Sequence, residues 1–457
     1  MRRTKIVATL GPACAQEGVL GRMVQAGVDL FRINTSHGTP AEHEAYIRLV
    51  RDLARGLERP LGVVLDTQGP KVRVGELREP LEIREGEEVL LGEKGIPLSH
   101  VEAVATARPG ERVLIDDGRL SLEIVAVEGK ALRCRVLRGG IVSSGKGVNF
   151  PDTELPIPAL TPSDRRTLEL AREMEVEYVA LSFTKGPEDV REAKDILGER
   201  PAIIAKVELG VAVRRMEEIV AAADGAMVAR GDLGVEIGPY QVPLIQKRLI
   251  EICNSRAKPV IVATQMLESM VNSPIPTRAE VSDVATAVRD GADAVMLSEE
   301  TAVGRYPVEA VEAMARAAAA AEGGLPIQVP GLSPELVGQV PGACARAAVA
   351  VAGDVGAVAI ICATISGWTA RLVAALRPRI PVLAATPREE VARELSLVWG
   401  VVPLLIPATE GTDALTQVSL KAGREAGFVR PGDRVVITAG VPFWTPGTTN
   451  LIRVVTV

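Results

Sequence analysis

The sequence predicts an α/β protein: an eight-stranded (β/α)8 TIM barrel, a small β-barrel lid domain inserted after strand 3, and a C-terminal open α/β domain. Three observations predict this fold. Eight short apolar runs alternate with helical patterns, each run ends in a polar cluster, and residues 72–152 break the series with short alternating runs and turns. Such barrels place their active sites at the C-terminal ends of the strands, where these polar clusters fall.

Composition limits the class of protein. A chain of 457 residues suggests about three domains, and a net charge of -6 with 47% hydrophobic residues indicates neither a nucleic-acid partner nor a membrane partner. The five cysteines are scattered and form no C-x-x-C pair, which predicts a reducing, cytoplasmic location and no zinc site. The first residues resemble a signal peptide, but Gly11-Pro12 cuts their short apolar segment, so we predict a first strand there.

The barrel is predicted from residues 1–71 and 153–325, close to the roughly 250 residues typical of such barrels. Its predicted strands are 5–10, 29–33, 61–65, 178–180, 203–205, 226–229, 259–263 and 294–297. Apolar residues at helical spacing predict a helix over 213–223 between the fifth and sixth strands.

The other two domains are predicted from turn signals. Within 72–152, alternating runs at 88–91, 112–115, 120–127 and 131–137 are separated by hairpin turns. Beside the C-terminal face of the barrel, this lid could close and exclude water. A loop rich in Gly and Pro, 323–334, marks the start of the C-terminal domain, 326–457, with predicted strands 357–362, 382–385, 401–406, 434–438 and 451–455.

Two strand ends carry the charges on which the functional prediction rests. Lys206 and Glu208 are two residues apart on a strand and therefore point the same way, and Asp232 follows the next strand. Two carboxylates near substrate oxygens suit Mg²⁺. An ion pair that merely caps a strand is the alternative, but the recurrence of polar clusters at every strand end favours a site.

Nine motifs in one order carry a family resemblance. They are 9–13 (T-L-G-P-A), 32–38 (R-I-N-T-S-H-G), 66–70 (D-T-Q-G-P), 146–149 (K-G-V-N), 205–208 (A-K-V-E), 227–234 (M-V-A-R-G-D-L-G), 263–269 (A-T-Q-M-L-E-S), 296–298 (M-L-S) and 300–302 (E-T-A). Over nearly its whole length the chain resembles the pyruvate kinase family. The resemblance implies Mg²⁺-dependent phosphoryl transfer from phosphoenolpyruvate to ADP, giving pyruvate and ATP.

The resemblance also implies roles for individual residues. Glu208 and Asp232 would hold Mg²⁺, or Mn²⁺ in its place, and Lys206 and Arg32 would bind the phosphoryl group. Thr264 would lie near the enolate carbon that takes up a proton. The further substrate-binding residues implied are Ser182, Gly231 and Ser298. The residues implied on the nucleotide side are Thr9, Pro12, His37, Arg73 and Lys146.

One departure from the family concerns a monovalent cation. Most members hold K⁺ with residues matching Asn34, Ser36, Asp66 and Thr67, assisted by a glutamate where this chain has Lys71. The ammonium of Lys71 makes a bound K⁺ less needed, so we predict that Lys71 replaces the ion and that K⁺ is not required. In a second departure, residues 209–212 (L-G-V-A) lack the polar residues usual after the Mg²⁺ glutamate.

The C-terminal domain carries a predicted regulatory loop. Residues 364–369 follow its first strand and precede a helix, where N–H groups and hydroxyls could hold a phosphate, although a simple capped turn would look the same. By resemblance, Thr364, Ser366, Gly367 and Thr369 would bind an allosteric effector, either a sugar phosphate or a nucleoside monophosphate. The family resemblance also implies a homotetramer.

Two other functions compete with this prediction. A Mg²⁺-dependent lyase or aldolase acting on a pyruvate enolate would need Glu208, Asp232 and Arg32, but gives no reason for Lys206 or a lid. A phosphate sensor with an inactive barrel would predict the loss of Lys206, a metal carboxylate or Thr264, and all of these are present.

Overall fold

The computed structural model describes residues 2–324, 327 and 329–457, with the backbone alone at 102, 103 and 105. The predicted domain boundary between 325 and 326 lies outside these residues. In the part of the chain that the structure describes, no helix is long and apolar enough to cross a membrane.

The first part of the chain forms three barrel strands and two helices. They are β1 (Lys5–Thr9), α1 (Glu17–Ala26), β2 (Leu30–Asn34), α2 (Pro40–Gly56) and β3 (Gly62–Asp66). Helix α2 begins where the sequence favours it, because Thr39 and Glu42 form a reciprocal capping box and Pro40 occupies the first turn. The predicted first strand is confirmed as β1, all of whose residues are buried.

The inserted region consists of antiparallel strands. They are β4 (Leu81–Ile83), β5 (Glu88–Gly92), β6 (Arg112–Ile115), β7 (Leu120–Glu128), β8 (Ala131–Arg138), β9 (Gly140–Val142) and β10 (Val148–Asn149), with a 3₁₀ helix at Val101–Thr106. Five of them form a sheet in the order β10-β6-β7-β8-β5, and β4 pairs with β9. Asp116 and Asp117 adopt positive φ in the turn between β6 and β7, as expected for a tight hairpin.

The chain then completes the barrel. The elements are α3 (Pro162–Glu173), β11 (Tyr178–Leu181), α4 (Pro187–Leu197), β12 (Ala202–Val207), α5 (Gly210–Arg214), α6 (Met216–Ala222), β13 (Gly225–Ala229), α7 (Arg230–Ile237), α8 (Val242–Ser255), β14 (Val260–Ala263), a 3₁₀ helix at Glu268–Val271, α9 (Arg278–Asp290), β15 (Ala294–Leu297), α10 (Glu299–Ala302) and α11 (Pro307–Gly323). Eight parallel strands close in the order β1-β15-β14-β13-β12-β11-β3-β2. All eight predicted strands are thereby confirmed.

The single helix predicted over 213–223 is wrong, because the structure has two short helices there. Arg215 separates α5 from α6 with φ −111° and ψ 16°, outside the helical range. Its guanidinium donates to Glu188 of α4 at 2.6 Å.

The C-terminal domain packs against the opposite, N-terminal end of the barrel. Its elements are α12 (Pro334–Val337), α13 (Val340–Asp354), β16 (Ala359–Ala363), α14 (Trp368–Ala375), β17 (Val382–Thr386), α15 (Glu389–Glu394), a 3₁₀ helix at Leu395–Leu397, β18 (Val401–Leu405), α16 (Thr412–Glu425), β19 (Arg434–Gly440) and β20 (Thr449–Thr456). Leu397 joins the apolar cluster inside the barrel, and the hydroxyl of Tyr178 donates to the carbonyl of Glu394 at 2.7 Å. The barrel is therefore closed at this end and presents its functional face at the other.

Candidate active site

Charged and polar side chains from four neighbouring strand ends meet around the carboxylate of Asp66. Arg32 Nε donates to one oxygen of Asp66 at 2.6 Å, and Lys206 Nζ donates to the other at 3.1 Å. The hydroxyl of Ser182 donates to that second oxygen at 3.2 Å and accepts from Lys206 at 2.7 Å. The pairing of parallel strands β2, β3, β11 and β12 brings these residues together.

The network keeps its groups charged although it is nearly closed to water. Burial would by itself raise the pKa of Asp66, but Arg32 and Lys206 outweigh burial and lower that pKa below its ordinary value. Burial would likewise lower the pKa of Lys206, but Asp66 and Glu208 raise it above its ordinary value. Arg32 and Lys206, whose side chains are each 12% exposed, are thus fixed cations at the mouth of the barrel.

Glu208 is fully buried and only half satisfied. Its Oε1 accepts a hydrogen bond from the backbone N–H of Phe183 at 2.6 Å, and Phe183 has a positive φ of 53° that turns its N–H inward. Its Oε2 lies 3.4 Å from Lys206 Nζ and has no hydrogen-bond partner. Burial raises the pKa of Glu208, and the charge of Lys206 opposes that rise. A buried carboxylate oxygen that accepts no hydrogen bond is the feature that a bound cation would satisfy.

Asp232, the second predicted metal carboxylate, is paired with Lys71. Lys71 Nζ lies 2.6 Å from Asp232 Oδ1. We predicted that this ammonium replaces a bound K⁺ functionally, and its pairing with Asp232 leaves that role a prediction. Lys71 lies in the loop after β3, and its side chain reaches Asp232 in the first turn of the helix that begins after β13.

Thr264 adopts a backbone conformation that L-residues with branched side chains rarely take. It has φ +68° and the following Gln265 has φ +54°. The hydroxyl of Thr264 accepts from the N–H of Gly231 at 2.8 Å and donates to the carbonyl of Ala263 at 2.6 Å. The predicted pair Thr264 and Gly231 is therefore in direct contact, and a strained backbone of this kind marks functional sites.

Arg230 holds the strained turn in place, and the sequence analysis gave it no role. Its guanidinium donates to the carbonyls of Thr264 at 2.7 Å and Gln265 at 3.1 Å, and it pairs with Asp283 at 2.6 Å. The side chain is almost fully buried. The signal was available, because Arg230 stands inside the motif 227–234, directly before Gly231 and Asp232, which were assigned roles.

Thr9 and Ser298 lie on the β1–β15 side of the same mouth. The hydroxyl of Thr9 donates to the carbonyl of Leu297 at 2.8 Å and accepts from Arg32 at 3.2 Å, which ties Thr9 to the charged network. Ser298 has a buried hydroxyl without a hydrogen-bond partner in the described chain. Its N–H donates at 2.6 Å to Glu300, a second buried acid that the sequence analysis did not single out and whose pKa burial raises.

Comparisons with known proteins agree with this arrangement. The family described as "Pyruvate kinase, barrel domain" matches residues 1–311, and "Pyruvate kinase, alpha/beta domain" matches residues 342–455. The chain belongs to the pyruvate kinase family. It is therefore an enzyme that transfers phosphate, a kinase.

Individual relatives of the pyruvate kinase family match nearly the whole chain. A pyruvate kinase of Agrobacterium vitis is 45% identical over 99% of this chain and 98% of its own length. Pyruvate kinase 2 of a Synechocystis strain is 43% identical over 99% of this chain and 79% of its own length. The crystal structure of a pyruvate kinase from Cryptosporidium parvum superposes with a TM-score of 0.93 at 33% identity, covering 100% of this chain and 96% of that one.

The residues that pyruvate kinase motifs assign to the nucleotide side lie partly on the barrel and partly on the inserted domain. Pro12 and His37 are exposed on loops after β1 and β2. In the inserted domain, Lys146 Nζ lies 2.7 Å from Asp116, and Arg73 donates to the carbonyl of Gly145 at 2.9 Å. Both lid cations therefore make contacts within the lid, while Thr9 belongs to the charged network of the barrel.

The four pyruvate kinase positions for a monovalent cation lie at two strand ends. Asn34 and Ser36 are at the end of β2, and Asp66 and Thr67 are at the end of β3. Asn34 Oδ1 accepts from the N–H of Ser36 at 3.2 Å, and Thr67 Oγ1 accepts from the N–H of Ser182 at 2.9 Å. Asn34 and Asp66 are direct partners in the pairing of β2 with β3, which brings the two pairs to one place.

The predicted effector loop lies far along the chain, at the start of α14. Gly367 has φ +79°, which favours glycine at this tight turn into the helix. Thr369 is buried, and its hydroxyl shares a hydrogen bond of 2.6 Å with that of Thr449. Thr364 and Ser366 line a cavity together with aromatic and hydroxyl side chains, and no charged residue lines it in the described part of the chain.

Proposed function

We propose that this enzyme transfers the phosphoryl group of phosphoenolpyruvate to ADP, giving pyruvate and ATP, and that it requires Mg²⁺. The observation that carries the proposal is the unsatisfied, fully buried oxygen of Glu208 beside the ammonium of Lys206, 3.4 Å apart. A cation site and a phosphoryl-binding cation side by side are what Mg²⁺-assisted phosphoryl transfer needs.

The residues present fit a hard divalent cation. Among the described residues there is no cluster of three or more His, Cys, Asp or Glu side chains, so the protein would supply two carboxylates, Glu208 and Asp232. Mg²⁺ commonly binds through one or two carboxylates and takes its other ligands from substrate and water, and Mn²⁺ could replace it. When bound, the ion neutralises charge on the oxygens of the substrate.

The protein's own cations would position the phosphoryl group. Arg32 and Lys206 are held rigidly because both donate to Asp66, so they need no reorganisation when negative charge moves between the substrates. Ser182 fixes the lysine from its other side at 2.7 Å. Preorganised charges in a site closed to water stabilise a transition state more strongly than flexible surface charges.

Thr264 would guide the proton that the enolate carbon takes up. Its hydroxyl hydrogen points to the carbonyl of Ala263, and its oxygen accepts from the N–H of Gly231. A water held by this hydroxyl would be a suitable carrier for the proton. The N–H groups of Gly231 and Asp232 lie at the start of α7, where a helix favours an anionic carboxylate.

The finer assignments follow as further proposals. The inserted domain closes as a lid over the nucleotide, which Thr9, Pro12, His37, Arg73 and Lys146 contact. Lys71 supplies the monovalent charge, so K⁺ is not required; its support is that the ammonium reaches the mouth of the same site, 2.6 Å from Asp232. A phosphorylated effector binds the loop of Thr364, Ser366, Gly367 and Thr369 in a cytoplasmic homotetramer.

The first experiment measures pyruvate formation from phosphoenolpyruvate and ADP with Mg²⁺, in buffer free of K⁺ and Na⁺, and again with K⁺ added. We expect full activity in both buffers. Activity only with K⁺ would keep the reaction and refute the role of Lys71 as the built-in cation. If no pyruvate formed in either buffer, the proposed reaction would be refuted. The alternative activity, a lyase acting on a pyruvate enolate, would then be the better hypothesis.

A further inference from the structure

A second cavity lies behind the hinge that joins the lid to the barrel. We define this hinge pocket by six of its lining residues, Val148, Phe150, Leu155, Phe183, Leu209 and Val211. Of the described residues, only Lys71 lines both the hinge pocket and the larger cleft above Asp232. The Lys71–Asp232 ion pair therefore separates the two cavities.

The hinge pocket is apolar where the sequence departs from its family. Leu209 and Val211 follow Glu208 directly, at the positions where polar residues are usual, and both are half-buried in the wall of the pocket. Phe183, whose N–H holds Glu208, forms part of the same wall. The apolar residues that depart from the family pattern therefore lie at one cavity, and the proposed reaction does not explain them.

One buried polar atom in this apolar wall has no partner. Asn149 is 5% exposed, and its Nδ2 donates to Glu236 Oε1 at 2.9 Å. Its Oδ1 is buried and accepts no hydrogen bond. Leaving a buried carbonyl oxygen unsatisfied is costly, so a molecule in the pocket that donates a hydrogen bond here would gain affinity.

Two cations of the hinge pocket also lack acidic partners in the described chain. Arg214 lines the pocket, its side chain is exposed, and its guanidinium lies beside Gly210. Lys185 Nζ donates to the carbonyl of Ile157 at 2.7 Å and to no carboxylate. Three acidic residues line the pocket: Asp152 is paired with Arg112 at 2.8 Å, Glu236 accepts from Asn149, and Glu154 is exposed.

We propose that the hinge pocket binds a small carboxylic acid that has an apolar body and a hydrogen-bond donor next to the carboxylate. The carboxylate pairs with Arg214, the donor satisfies Asn149 Oδ1, and the body fills the space between Leu155, Leu209 and Val211. Ligand sites with an apolar lining and a few fixed polar groups have this composition. The inference concerns binding alone and does not depend on the proposed reaction.

Calorimetric titration of the full chain with 3-phenyllactate, in the absence of substrates, tests the proposal. We expect binding to the unaltered enzyme, and binding at least about tenfold weaker for 3-phenylpropanoate, which lacks the hydroxyl, and for 3-phenylpropane-1,2-diol, which keeps that hydroxyl but lacks the carboxylate. Arg214→Gln should weaken 3-phenyllactate binding at least about tenfold. Arg22→Gln, the same change at an exposed position of α1, should leave it unaltered.

A separate variant tests whether the probe binds in the active site instead of the hinge pocket. Lys206→Met removes the cation that would hold an anion there, and it should leave 3-phenyllactate binding unchanged. Loss of binding in Lys206→Met would overturn the proposal, because the probe would then occupy the active site. Equal binding to Arg214→Gln and the unaltered enzyme, or no binding to either, would overturn it too. Arg214 is exposed and unpaired in the described chain, so its substitution should not disturb folding.

Discussion

The mouth of the barrel and the effector loop are both predicted to bind phosphate, but they are built differently. At the barrel, Arg32, Lys206 and Asp66 are buried charges that compensate one another, and one oxygen of Glu208 stays unsatisfied. The cavity of the effector loop is lined by hydroxyls, backbone and aromatic rings, without a charged side chain in the described chain.

The difference shows what each region can do with a phosphate. Fixed charges in a buried site act strongly on charge that moves during a reaction, and their removal is expensive. Neutral hydroxyls and N–H groups can hold a phosphate that stays intact, each contributing modestly. A site for chemistry and a site for reversible binding should therefore respond very differently to single substitutions.

The largest effect is expected from Lys206→Met. The variant removes the ammonium that both Asp66 and Glu208 contact, so we expect kcat for pyruvate formation to fall about 10³-fold. Steady-state assays measure this loss, and calorimetry with Mn²⁺ should still show a metal bound. The matched control is Lys194→Met, which removes a half-exposed lysine paired with Asp224 at 2.9 Å and should keep full activity. A kcat within tenfold of the unaltered enzyme would contradict the role of Lys206.

Arg230→Lys should cost about 100-fold in kcat with a smaller change in KM. A lysine cannot donate at once to the carbonyls of Thr264 and Gln265 and pair with Asp283, so the strained turn would relax and Thr264 would lose its position. Kinetics and thermal unfolding measured together separate positioning from stability. An equal loss of activity and of folded protein would show that Arg230 is only structural.

The fold could be predicted from the sequence because its signals are local. Each barrel strand is a short apolar run, and strand ends at one face gather the polar residues that follow them. The broken helix at Arg215 could not be predicted in this way. The break coincides with an ion pair between Arg215 and Glu188 on a different helix, and tertiary contacts of this kind leave no mark on helical periodicity.

The site could be predicted where a strand fixes the direction in which a side chain points. It could not be predicted where a long, flexible side chain can reach several partners. Lys206 and Glu208 point together because they are two residues apart on one strand. Lys71 lies in a loop, and its long side chain pairs with Asp232, a partner that the sequence does not indicate. Arg230 stands inside a quoted motif, but the motif does not show that its guanidinium holds the carbonyls of Thr264 and Gln265.

Lys71→Met should change metal binding and ion dependence by about tenfold. The ammonium pairs with Asp232 in the structure, so its removal should tighten Mn²⁺ binding about tenfold because a like charge is lost near the ion. Calorimetry measures this affinity, and pyruvate assays with and without K⁺ should show a new stimulation by K⁺. Unchanged metal affinity together with activity that ignores K⁺ would contradict both proposed roles of the lysine.

The smallest effect is expected in the effector loop, from Ser366→Ala. Ser366 is half-buried and lines an uncharged cavity, so it would contribute one neutral donor to a phosphate that several other groups also hold. Losing one such hydrogen bond should raise the half-maximal concentration of an activating phosphate by about two- to tenfold. Titrating activity with glucose 6-phosphate and with AMP measures it, and kcat without effector should not change. A loss as large as that of Lys206→Met would mean that the two regions do not differ in the way their charges suggest.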